Sequence, residues 1–221
     1  MADGRVSLRA GLYDFNSEFD ALDSASLFLN GAHGIGADIS QAGENGPSIF
    51  PYTSLAARLE AGLSEHWRVR LAVLDGVPGD PAHLKRTVVH LGHGDGALLA
   101  AELQYADDDS KILAGYWRYT GRFEDPLASA LAGTTVRGRG NAGIYLRGEH
   151  WLHRVSGSDS RGLMGFARVG LASGRFNSFR SFYSVGATYT GPFASRPDDQ
   201  FGLALAWAQT GARARRAAAL A

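Results

Sequence analysis

The sequence predicts an all-β fold, an antiparallel transmembrane β-barrel, and three observations carry that expectation. Apolar and polar residues alternate with a period of two over most of the 221 residues, and two is the strand period. Charges gather on one strand face and apolar residues on the other, as a wall between lipid and an aqueous lumen requires. Short polar turns alternate with long connections, the arrangement of a barrel built from hairpins.

The pair spanning Thr53–Asp75 states the pattern most clearly. Leu55, Ala57, Leu59, Ala61 and Leu63 share one face, opposite Ser54, Arg58, Glu60 and Gly62. After the turn Ser64-Glu65-His66, Trp67, Val69, Leu71 and Val73 oppose Arg68, Arg70 and Ala72. The same alternation runs through Val6–Tyr13, Leu99–Tyr105, Leu113–Thr120, Asn141–Glu149, Leu163–Leu171, Tyr183–Tyr189 and Phe201–Trp207. A weaker strand at Arg86–Leu91 brings the expected count to about ten. Short turns fall at Ser64–His66, Gly92–Gly96 and Ala106–Ser110. Long segments fall at Phe15–Tyr52, Gly76–Lys85, Gly121–Gly140 and Ser173–Arg180. Tyr13, Trp67, Tyr105, Tyr119, Tyr189 and Trp207, near strand ends, suit interfacial girdles.

Composition sets bounds. No apolar run is long enough for a membrane helix. A mean hydropathy of -0.14 does not argue against strands that hide their apolar half by alternation. The net charge of zero argues against a nucleic-acid partner held by an overall field. With no cysteine there is no disulfide framework and no thiolate metal site. Met1–Arg5 leads straight into a strand with no basic or apolar leader region. Residues 211–221 are low in complexity and basic, and break the alternation that runs to Trp207. They are read as a tail outside the barrel of residues 1–210, an out-of-frame or truncated terminus in preference to a short basic helix.

Four ordered segments sharpen the fold. Ala10-Gly11-Leu12-Tyr13-Asp14-Phe15-Asn16-Ser17-Glu18-Phe19-Asp20 resembles a signature of the carbohydrate-selective porins of the OprB family. So do Leu27-Phe28-Leu29-Asn30 with His33-Gly34-Ile35-Gly36, then Asn45–Pro51 with Thr53-Ser54-Leu55, then Ala72–Pro81. The resemblance implies an outer-membrane barrel of roughly sixteen strands in a Gram-negative bacterium, wide enough for an aqueous channel. It implies passive diffusion of glucose-type sugars with no cofactor and no covalent chemistry. Outer-membrane lipid and a homotrimer are the other partners implied. The first and last strands of such a barrel are missing from this sequence, so the expected sheet is incomplete and open. A non-functional porin fragment, or a barrel whose loops serve an adhesin or enzyme role, are the alternatives.

The expected lumen face supplies hydroxyl partners and flat rings for a sugar. Its candidates are Arg58, Glu60, Arg68, Arg70, Glu102, Tyr116, Arg118, Arg147, Glu149 and Trp151, together with Arg9, Gln104 and Tyr145. Arg147, Glu149 and Trp151, on alternate positions of one strand, form the best cluster. Segments Asn16–Asp20 and Asn45–Pro51 are placed to fold inward and narrow the channel. Several apparent motifs carry nothing. Glu149-His150-Trp151-Leu152-His153 has the wrong order for a zinc-protease helix. Gly31–Gly36 does not link a strand to a helix as a dinucleotide loop must. Asp107–Asp109 reads as a solvated turn, and no Ser, His and Asp set has triad spacing.

Overall fold

The computed structural model describes residues 5–80, 89, 91, 92 and 94–220. Its strands in chain order are β1 (Val6–Tyr13), β2 (Ser54–Gly62), β3 (Trp67–Asp75), β4 (Ala97–Ala106), β5 (Ser110–Tyr119), β6 (Phe123–Glu124), β7 (Arg137–Gly138), β8 (Ala142–Arg154), β9 (Gly162–Ala172), β10 (Phe179–Thr190) and β11 (Gln200–Thr210). Nine of them form one antiparallel sheet in the order β1-β2-β3-β4-β5-β8-β9-β10-β11, and β6 and β7 pair separately. Among the described residues the sheet is open, with β1 and β11 at its edges. Of the strand expected at Arg86–Leu91, all but Val89 and Leu91 lie outside the described residues.

Connections sort onto two rims. Residues 63–66, 107–109, 155–161 and 191–199 form one rim; 14–53, 76–80, 94–96, 120–141 and 173–178 lie at the other, long-connection rim. Helices α1 (Ala37–Ser40), α2 (Pro126–Ala132) and α3 (Ala212–Ala218) all follow from that second rim. The sequence of α2 dictates its start: Asp125 caps by accepting from the Ala128 N–H at 3.0 Å, and Pro126 sits where no amide donor is needed. Residues 212–218, read from sequence as a tail, form α3, which packs on α2.

The two faces of the sheet differ as the alternation requires. Leu8, Leu12, Leu59, Leu71, Leu103, Ile144, Leu146, Val185 and Leu205 are exposed on the outer face. On the inner face the long segment 14–53 folds back against the sheet. Phe15, Phe19, Leu22, Ile35, Ile39 and Ala42 from that segment meet Leu74, Leu98, Leu113, Trp117, Tyr119 and Phe166 in one core. The core therefore lies between the wall and its own inserted connection, and the outer face is left bare.

Two expectations about faces are corrected. Tyr116 and Arg118 lie on the outer face, because β5 pairs with β4 so that Tyr116 stands opposite Ala101 and Arg118 opposite Leu99, and opposed residues share a face. Leu113, Trp117 and Tyr119 are the buried set on β5. Both faces of β5 carry aromatic and aliphatic residues, so alternation alone did not tell inside from outside there. Tyr13 and Tyr119 likewise point into the core. Trp67 with Tyr105 (ring centroids 5.1 Å apart) and Tyr183 with Trp207 (6.1 Å) are outward pairs.

Close packing on the inner face needs small residues beside large ones. A Cβ on Gly143 would lie 2.4 Å from the Trp117 ring and 2.5 Å from the Leu171 carbonyl oxygen. Gly143→Val is therefore expected to lower unfolding stability by about 1–3 kcal/mol through overpacking, read as a lower denaturation midpoint. Ile144→Val, one residue on and facing outward, should leave that midpoint nearly unchanged.

Candidate channel-lining site

An irregular segment buried inside a barrel must have its backbone groups satisfied by the wall. The inner-face charges do this. Arg147 on β8 donates to the carbonyl oxygens of Asp20, His33 and Gly34, the last at 2.6 Å. Glu102 on β4 accepts from the Asp20 N–H at 2.8 Å and from the Tyr145 hydroxyl at 2.5 Å. Glu149 accepts from the Ser24 N–H at 3.0 Å and the Ser24 hydroxyl at 2.6 Å, while Thr188 donates to the Ser24 carbonyl at 2.9 Å. Arg70 donates to the Glu18 carbonyl at 2.8 Å.

Ion pairs run through the same layer. Glu18 receives both arms of Arg58 at 2.6 Å and Arg9 at 3.0 Å. Arg70 bridges Glu60 at 2.5 Å and Glu102 at 3.0 Å. Asp20 sits between Arg147 at 3.3 Å and Arg168 at 2.8 Å, and Arg168 goes on to Asp38 at 2.6 Å. Asp20, Asp38, Arg147 and Arg168 are all essentially buried. Asp20 is also the one residue other than glycine with a positive φ, 51°, among the described residues, a conformation that Asp tolerates better than most. Space for the pair is cut into the backbone: a Cβ on Gly36 would lie 2.0 Å from Arg168 Nη1, and one on Gly170 2.2 Å from Asp38 Oδ2.

Titration follows these contacts. Burial works to raise the Glu18 carboxyl, but hydrogen bonds from Arg58 and Tyr13 prevail and hold it below the usual carboxylate range. Burial, helped by the Arg147 charge, lowers His33; its Nδ1 stands 2.9 Å from Ser184 Oγ, so it is held neutral. On the long-connection rim, burial of Asp125 is outweighed by hydrogen bonds from Arg213, the Ala128 N–H and Arg175, which leave it at about 2.

The sequence-derived candidates now divide. Arg58, Arg70, Glu102, Arg147 and Glu149 are brought together beneath the inserted segment. Glu60 is partly covered and Arg68, 47% exposed, lies 3.6 Å from it. Trp151 stands at the short-turn end, under the Arg154 guanidinium at 4.8 Å, apart from Arg147 and Glu149. Tyr116 and Arg118 are on the other face. Segment Asn16–Asp20 does turn inward, with Asp20 fully buried. The sequence reading missed Arg168, Asp20, Asp38 and Glu18 as partners. Arg168 was legible as an inward charge beside Phe166, but nothing local marked which distant carboxylates it meets.

A wall apolar without and charged within, carrying an inserted connection, is the architecture of a porin-type β-barrel wall. The sequence matches the carbohydrate-selective porin, OprB family, over residues 1–221. The chain belongs to that family. It is similar to Porin B of Pseudomonas aeruginosa, 23% identical over 222 residues that make up 92% of this chain and 47% of the relative. In fold it is similar to the high-pH structure of Pseudomonas putida OprB, with a TM-score of 0.83, 18% identity and coverage of 99% of this chain and 54% of the other. The low-pH structure of the same protein superposes with a TM-score of 0.55 at 16% identity, over 93% of this chain and 48% of the other. The chain thus spans about half the length of the relatives it matches.

Two outcomes are expected. Arg147→Ala removes one of the two cations on Asp20, leaving its pair with Arg168, and takes the Arg147 donor from the carbonyls of Asp20, His33 and Gly34; it should cost about 3 kcal/mol, measured by equilibrium unfolding in detergent. Asp125, with its pKa depressed to about 2, contributes stability that is complete above about pH 4 and is lost as pH falls through about 2. Hydrogen exchange of α3 should rise over that window, and Asp125→Asn should abolish the acid-linked step.

Proposed function

We propose that this chain provides part of the wall and the inserted constriction of an outer-membrane channel for passive, carbohydrate-selective diffusion of glucose-type sugars. The observation that carries the reading is the segment 14–53 fixed across the inner face by Asp20, Arg147 and Arg168. A channel wide enough to pass solute needs such a filling to become selective. The bare outer face supports lipid as its surroundings. Membership of the carbohydrate-selective family supports the sugar.

Strand direction is consistent with a larger barrel. β1 and β11 run the same way across the wall, because seven strands lie between the two edges in an antiparallel order. Antiparallel closure then takes an odd number of further strands, and about seven would give the roughly sixteen of the family resemblance. Groups that stay accessible beside the inserted segment are Arg9, Arg68 and Glu60. They offer donors and an acceptor for sugar hydroxyls without a net field.

Liposomes reconstituted with the protein should swell in isotonic glucose, and absence of swelling contradicts the proposal. Arg168→Gln should loosen the segment, so that swelling in larger oligosaccharides rises relative to glucose. An unchanged size profile would show that the segment does not set the constriction.

A further inference from the structure

The outer face is not uniformly filled. Between β5, β8 and β9 it carries an apolar groove of about 620 Å³, within the range of ligand sites. Its floor is Gly148 on β8 with Gly165 and Ala167 on β9, small residues where Gly148 stands opposite Ala167 and His150 opposite Gly165, and the Leu152 side chain borders Gly165. Its walls include Ile112, Leu146 and Leu152. One end is polar. There Ser110 Oγ lies 2.8 Å from His150 Nδ1, at the short-turn rim, directly after the acidic turn Asp107–Asp109. Trp151 N–H donates to the Asp109 carbonyl at 2.9 Å, which ties that turn to the His150 end of β8.

We propose that this groove holds one phospholipid with an ethanolamine headgroup, its acyl chain along Gly148 and Gly165 and its headgroup at His150. Charge complementarity selects the headgroup. When Ser110 donates to Nδ1, the neutral His150 carries its proton on Nε2, free to donate to a phosphate oxygen. The adjoining Asp108 is exposed and its carboxylate has no partner among the described residues, so it is available to an ammonium. Asp109 is half committed, to Arg154 at 3.0 Å. An anionic phosphoglycerol headgroup would meet the same acids as repulsion. Chain packing against small residues supplies contact rather than a hydrophobic driving force, since lipid surrounds the groove in any case.

The inference rests on the outer face being lipid-facing. Its test is native mass spectrometry of the protein released from nanodiscs that contain equal phosphatidylethanolamine and phosphatidylglycerol. One ethanolamine lipid should be retained in preference. Ala167→Phe, which fills the groove from an exposed position, should remove that lipid, and His150→Ala should weaken retention about fivefold, the loss of one hydrogen bond. Asp108→Asn should erode the preference over phosphatidylglycerol. Equal retention in wild type and Ala167→Phe overturns the proposal while leaving the lipid-facing reading intact. So does a self-associated species that Ala167→Phe dissociates, for then a second copy occupies the groove. Failure of the protein to enter nanodiscs overturns both readings.

Discussion

Burying an irregular peptide segment inside a β-wall is the constraint on which the rest depends. Residues 14–53 have almost no regular structure of their own, so their backbone groups need partners from the sheet. The sequence answers with long charged side chains on the inward positions of β2, β3, β4, β8 and β9. Arg147 alone serves three carbonyls, and Asp20 is held by its carboxylate and its amide at once. The positive φ of Asp20 places its carboxylate and its amide where Arg168 and Glu102 reach both. Buried ion pairs of this kind add little net stability against an apolar alternative. What they confer is position: each removes one way for the segment to lie elsewhere.

The same constraint explains the two characters of the wall. Inward positions are shared among charges, core residues such as Leu113, Trp117 and Phe166, and small residues, with Gly143 and Gly170 making room for Trp117 and Asp38. Outward positions face no protein core, so they carry aliphatic residues with aromatic pairs near the ends. A wall built so is unsuited to water on its outer side and unsuited to lipid on its inner side. That asymmetry, more than any single residue, marks the sheet as the wall of a porin-type barrel.

Much of this was legible in the sequence. Nine strands and their alternation were visible, because one buried face forces a strict period of two. The family resemblance rested on Ala10–Asp20 and its neighbours, and of these Asp14–Asp20, Leu27–Gly36 and Asn45–Pro51 belong to the inserted segment. Facing failed at β5, where Tyr116 and Trp117 are both large and aromatic and only the register to β4 decides. The two-turn helix α2 was lost within a long connection, although Asp125-Pro126 marks its start. The partners of Arg168 were out of reach for a different reason. Asp20 and Asp38 lie more than a hundred residues away in sequence, and only the closed segment brings them to it.

The buried pairs fix the inserted segment to the wall. A double-mutant cycle on unfolding free energy between Asp38 and Arg168, using Asp38→Asn and Arg168→Gln, tests it most directly. Coupling of about 1–3 kcal/mol is predicted, with the double variant much less unstable than the sum of the singles. Additivity to within about 0.5 kcal/mol would mean that the two do not act on each other, and would contradict the account.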